Sequence, residues 1–137
     1  MRTYRPATMD DLPRLLELSK QSRMRVNRVP SLTWVAEEDG VLCAALGLDW
    51  EQGMTVAGPL MVDRSLGRKP WMILRLVETM ERWMTEAGGT EYLFGVACAN
   101  KRWNAIAKKF AVRYVTKDGR HWYLRRLTEH GDGRSKR

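Results

Sequence analysis

The stretch Val62-Asp63-Arg64-Ser65-Leu66-Gly67-Arg68-Lys69-Pro70, which runs directly into residues 71–87, decides how this chain folds. Residues 71–87 place apolar side chains at Met72, Ile73, Leu76, Val77, Met80, Trp83, Met84 and Ala87. That three-and-four recurrence keeps one helical stripe against a core, while Arg75, Glu78, Thr79, Glu81, Arg82 and Glu86 take the other side. Glu78 and Arg82 stand four apart with the acid first, a spacing that supports a helix, and Gly88-Gly89 ends it. A loop that delivers backbone N–H groups to the positive end of a helix dipole can gather an anion, and Arg64, Arg68 and Lys69 add charge there. Taken alone, the same residues also read as a solvated basic turn before a helix.

Outward from this centre the chain alternates strand and helix signals. Arg2-Thr3-Tyr4-Arg5 has the alternation of a short strand. Thr8 with Asp11 forms a capping-box-like start for a helix carrying Leu12, Leu15, Leu16 and Ser19 on one face, with Pro13 near its first turn. Residues 20–28, with four basic side chains and no acid, read as helix end and loop. Residues 33–37 and 41–48 form two strands around Glu38-Asp39-Gly40, since Asp-Gly supplies the positive backbone angles of a tight hairpin. A strand over 54–62 is interrupted at Gly58-Pro59, where a bulge or kink is expected. After the long helix, the apolar run 92–98 reads as a central strand buried on both faces. Asn100 closes that strand, and 101–110 reads as a short helix facing Trp103, Ile106, Ala107 and Phe110 inward. A last hairpin, 111–117 and 120–127 about Asp118-Gly119, sets Val115 opposite Trp122 and Tyr114 opposite Tyr123. Residues 128–137 have almost nothing apolar and read as a disordered basic tail beyond a single domain over 1–127.

Composition narrows the classes. A chain of 137 residues, 44% hydrophobic, buries a core without disulfides or metal. No apolar stretch approaches the roughly 20 residues of a membrane span, and the first residues have no signal-peptide character, so a cytoplasmic setting is expected. Cys43 and Cys98 fall inside predicted buried strands and read as reduced core residues. Two histidines, His121 and the tail residue His130, give no metal-ligand spacing. The net charge of +8 is concentrated: residues 100–126 hold nine Lys or Arg against the acid Asp118, and the remainder balances 15 against 15. Such a segment points to a polyanionic ligand or partner.

The order β-α-β-β-β-α-β-α-β-β resembles the GCN5-related N-acetyltransferases over residues 2–127. The resemblance implies an α/β (α+β) fold with a mixed sheet of six to seven strands and three to four helices. Arg5-Pro6-Ala7-Thr8 with Asp11-Leu12 looks like that family's first strand and helix. Leu60-Met61-Val62 resembles its acyl- and pantetheine-holding strand, and the loop that follows resembles its Arg-x-x-Gly-x-Gly pyrophosphate segment. Asn100 resembles its late asparagine. By this likeness the cofactor-binding residues are Met61, Val62, Gly67, Arg68, Lys69, Pro70, Trp71, Met72 and Asn100, with acetyl-CoA as co-substrate and no metal. The second loop glycine is absent. Aligned on Asn100, Ala107 stands where the family often carries a tyrosine acid, and Ala111 where it carries a glycine. The size, the degenerate loop and the missing tyrosine more closely resemble the small acetyltransferase-like internal virion proteins of tailed phages.

Amide formation needs a neutral amine, a path for its proton, donors for the oxyanion and a departing thiolate. The candidates for the base are Asp49, Glu51, Asp63 and Glu91, and those for the acid are Tyr114, Tyr123 and Cys98; each also reads as a solvated carboxylate or a core side chain. Three function classes stay open. They are an acetyl-CoA-dependent N-acetyltransferase acting on a small-molecule or protein amine, a non-catalytic structural or virion component of the same fold, and a nucleic-acid-binding module using 100–126. For the last, Trp103, Trp122, Tyr114 and Tyr123 are available to stack bases.

Overall fold

A computed structural model describes residues 2–21, 32–66 and 70–127. The basic loop after the first helix, the residues Gly67, Arg68 and Lys69, and the tail 128–137 lie outside the described residues. The elements are β1 (Arg2–Pro6), α1 (Leu12–Gln21), β2 (Leu32–Glu38), β3 (Val41–Glu51), β4 (Met54–Val62), α2 (Pro70–Glu86), β5 (Glu91–Ala97), α3 (Lys101–Ala107), β6 (Val112–Lys117) and β7 (Arg120–Arg126). The strands form one seven-stranded mixed sheet in the order β1-β2-β3-β4-β5-β7-β6. Both the element order and the strand number agree with the sequence reading.

The described chain falls into two compact units: Met1–Asp49 with Gly58–Trp83, and Trp50–Ala57 with Met84–Arg137. In the first unit, β1, β2 and β3 pair antiparallel. Leu15 and Leu18 of α1 pack with Val35 of β2, Leu42 and Ala45 of β3 and Met61 of β4. Trp34, one residue from Val35 and so on the opposite face, meets Trp83 of α2 edge-on at 5.6 Å. The period-two alternation of β2 thus gives each face of the sheet its own helix. On α1 the inward set is Leu15, Leu18 and Ser19, and Leu16 is exposed. The expected inward Leu16 is replaced by Leu18, and a 3-10 turn, Met9–Asp11, shifts the start of the α-helix to Leu12. The same shift seats Pro13 in the first turn, where a missing N–H costs nothing.

In the second unit β4 pairs parallel with β5 at Val56 and Leu93, β5 antiparallel with β7, and β7 antiparallel with β6. Phe94 lies between the rings of Phe110 and Tyr123, at 6.0 and 5.4 Å, both close to parallel. Gly95 faces Trp122 across the strands, and a Cβ there would lie 3.1 Å from the indole ring. β5 is less enclosed than expected: Tyr92 is buried, Leu93 to Val96 are half-buried and Ala97 is exposed, because α3 has only seven residues to lay over it. Val115 does pair with Trp122, but a register shift between Arg113 and Val115 sets Arg113, not Tyr114, opposite Tyr123. Tyr114 is exposed and Tyr123 fully buried. Cys98 lies past the end of β5 and is exposed, whereas Cys43 is buried as expected. Among the described residues three turns have two residues with positive φ, Asp39-Gly40, Gln52-Gly53 and Asp118-Gly119. At Gly58-Pro59 β4 is not interrupted but continues through a cis peptide.

β1 is tied to the start of α1 by a two-pronged ion pair, in which Arg5 donates to the Asp11 carboxylate at 2.8 and 3.0 Å. The Thr8 amide donates to the same carboxylate at 2.8 Å. These donors, with Arg5 foremost, hold the Asp11 pKa at about 2 against an ordinary 3.8. Since the folded value is the lower one, the ionised pair stabilises the fold above about pH 4 and loses that contribution as pH falls toward 2. Asp11→Asn should flatten the acid limb of stability between those values, by on the order of 1 kcal/mol after solvent screening. Urea unfolding at a series of pH values measures this.

Candidate functional site

In the first unit, the chain leaves the sheet at Val62. The Asp63 amide donates to the Cys43 carbonyl at 2.9 Å, the last link of that strand edge. The Asp63 carboxylate is buried. One oxygen accepts the Ser65 amide at 2.9 Å and the Ser65 hydroxyl at 2.6 Å; the other accepts Arg14 Nη2 at 2.6 Å. Arg14, on α1, also donates from Nε and Nη2 to the Leu42 carbonyl at 3.2 and 3.0 Å. One guanidinium therefore fastens α1, β3 and the exit of β4 together. The Ser65 hydroxyl, then Arg14, keeps the Asp63 carboxyl below the usual carboxylate range. Arg14 stays protonated, its pKa raised by Asp63 and Glu17 against the opposing effect of burial.

Ser65 belongs to a 3-10 turn, Arg64–Leu66, after which α2 opens at Pro70. Proline is at home there, since the first amides of a helix have no partner inside it. Met72 is buried and anchors the first turn, while Trp71 points outward under the Arg2 guanidinium, 3.8 Å from its ring centroid. The first turn of α2 carries no acidic side chain, so nothing in it opposes an anion at the helix's positive end. Of the residues expected to hold a cofactor, Met61, Val62, Pro70, Trp71 and Met72 are thus brought to the exit of β4 and the start of α2. Met61 is fully buried in the core cluster. Gly67, Arg68 and Lys69 fall outside the described residues.

In the second unit, Asn100 caps α3: its side-chain oxygen accepts the Trp103 amide at 3.1 Å. One turn later comes a residue that the sequence reading passed over. Asn104 is buried; its amide nitrogen donates to the Ala97 carbonyl at 3.0 Å and the Asn100 carbonyl at 2.8 Å, and its oxygen accepts the Tyr123 hydroxyl at 2.6 Å. The carboxamide joins β5, α3 and β7. The signal was available, a polar residue between Trp103 and Ala107 on the face assigned inward. Ala107 is itself buried, and Tyr123 has committed its proton to Asn104. Among the other candidates, Tyr114, Cys98 and Glu51 are exposed, Asp49 and Glu91 half-buried. Among the described residues no group of His, Cys, Asp and Glu could hold a metal ion, and no helix is long and apolar enough to cross a membrane.

Solved structures match this chain along nearly its whole length. An N-acetyltransferase from Staphylococcus aureus Mu50 superposes with a TM-score of 0.74 at 14% identity, covering 93% of this chain and 99% of the other. The ribosomal-protein-S18-alanine N-acetyltransferase from Escherichia coli gives 0.67 at 16%, over 93% and 94%. The PaiA N-acetyltransferase from Thermoplasma acidophilum, solved with coenzyme A, gives 0.70 at 13%, over 92% and 99%. The fold is that of the GCN5-related N-acetyltransferases. No protein-family model matches the sequence, and no curated protein matches it.

Removing the Asp63 carboxylate strands the Ser65 donors and one arm of a part-buried guanidinium. Asp63→Ala should therefore cost about 2 kcal/mol, and Asp63→Asn less, because the amide oxygen can still accept from Ser65. Tyr123→Phe should cost about 1–2 kcal/mol by leaving the Asn104 oxygen without its donor. Denaturant midpoints at constant m-value report both.

Proposed function

We propose that the protein transfers an acetyl group from acetyl-CoA to an amine. The observation that carries this reading is the likeness to N-acetyltransferase structures across almost all of this chain and all of theirs. The exit of β4 supports it: a clamped strand end, a loop with Arg64, Arg68 and Lys69, and a helix start without acid make a fitting seat for a pyrophosphate. In this reading the thioester arm runs beside the Met61–Val62 backbone, and the diphosphate sits at residues 67–72.

Acetyl-CoA would supply an acyl carbon activated as a thioester, with the CoA thiolate as the leaving group. The amine nitrogen bonds to that carbon, the carbon–sulfur bond breaks, and the amine proton passes to solvent or a carboxylate. Asp63 is poorly suited to take it, since both of its oxygens are engaged and its carboxyl holds its charge. Thiolate departs without an acid near neutral pH, so an alanine at position 107 slows transfer without forbidding it. A second reading has the same fold binding CoA without turnover, as a structural component such as a phage virion protein. The burial of Ala107 and the engaged Tyr123 hydroxyl favour it, since neither position offers a free acid.

Arg68→Ala with Lys69→Ala should weaken CoA binding at least severalfold and reduce its salt dependence, as titration calorimetry will show; unchanged affinity contradicts the placement. Thiol release from acetyl-CoA across a panel of amines separates the two readings. Slow, amine-dependent release supports transfer, and CoA binding without release supports the silent fold. Ala107→Tyr should cost about 1–3 kcal/mol, because a ring must enter packed space.

A further inference from the structure

The second unit contains an open cleft of about 400 Å³ between α3 and the β6–β7 hairpin, lined by Lys101, Lys108, Arg113, His121, Asn104 and Cys98. Three of these carry permanent positive charge and none is a carboxylate. Lys101 and Lys108 are seven residues apart, two turns on one helical face, which sets them about 10 Å apart along the axis. Arg113 faces them from β6, and His121, whose Nδ1 lies 2.8 Å from Thr116 Oγ1, faces them from β7.

The surrounding surface extends the same field. Arg102 on the same helix, Lys109 just past its end, and Lys117 and Arg120 on the hairpin are exposed. β6 closes the sheet at its edge, and all six of its side chains are exposed, among them Tyr114 beside Arg113, at 61%. A charge this extended exceeds what a single small anion can neutralise, and an exposed phenol next to it offers a face on which a base can stack. An acidic peptide would use the lysines but not the ring.

We propose that this cleft seats the phosphate backbone of single-stranded nucleic acid, with Lys101, Lys108 and Arg113 each meeting a phosphate and Tyr114 stacking on a base. Binding is measured by fluorescence anisotropy with a labelled mixed-sequence oligonucleotide of about 12 nucleotides, between about 50 and about 200 mM salt. Wild type should bind, and the triple variant K101A/K108A/R113A should bind at least tenfold more weakly at the lower salt. Its slope of log affinity against log salt should be shallower by about 2, at ~0.7 per phosphate contact for a single strand. Tyr114→Ala should weaken binding severalfold without changing that slope. The control K20A/R75A/R82A removes three exposed charges elsewhere and should bind like wild type. No binding by wild type, equal loss in the control, equal affinity for duplex, or equal affinity for poly-glutamate would each overturn the proposal. Circular dichroism melting verifies that the variants are folded, and single substitutions at the same three positions replace the triple variant if it is not.

Discussion

Arg14 and Asp63 form the contact on which the first unit depends. One guanidinium reaches from α1 to the Leu42 carbonyl on β3 and the Asp63 carboxylate after β4. That carboxylate spends its second oxygen on Ser65. A buried carboxylate is costly unless paired and hydrogen-bonded, and here both of its oxygens are engaged. The benefit is geometric. The strand end, the helix that covers it and the first turn of the outgoing loop share one fixed node, so the backbone that leads to α2 starts from a defined place.

Stability and the proposed site are joined at this node. Leu15 and Leu18 on α1 bury against Val35, Leu42, Ala45 and Met61, each side chain larger than alanine worth roughly 1.5–3 kcal/mol of apolar burial. Arg14, on the same helix, holds Asp63 in place. Met72 draws the first turn of α2 into the core while Trp71, under Arg2, stays at the surface. The second unit achieves rigidity by other means: stacked rings around Phe94 and a buried carboxamide, Asn104, that satisfies two backbone carbonyls and a phenol.

Much of this was legible in the sequence. Period 3.6 over 71–87 gave α2 to within a residue, and the Asp-Gly pairs gave two hairpins. The third, Gln52-Gly53, escaped because glutamine rarely takes the positive φ that asparagine or aspartate tolerates, so β3 read three residues short. The register shift between Arg113 and Val115 has no local signature, since register depends on the partner strand. Arg14 and Asp63 were invisible as a pair: they lie 49 residues apart, and each alone looks like a surface charge. Asn104 was legible as a polar residue on the inward face of α3, but its partner Tyr123, 19 residues further on, was not.

The proposed CoA seat at the exit of β4 is open to a residue-by-residue test by amide chemical shifts. Titrating CoA into isotopically labelled protein should shift the amides between Val62 and Met72 saturably, with those of α3 and the β6–β7 hairpin changing less. Shifts confined to α3 and the hairpin, or no saturable shifts at all, would contradict it.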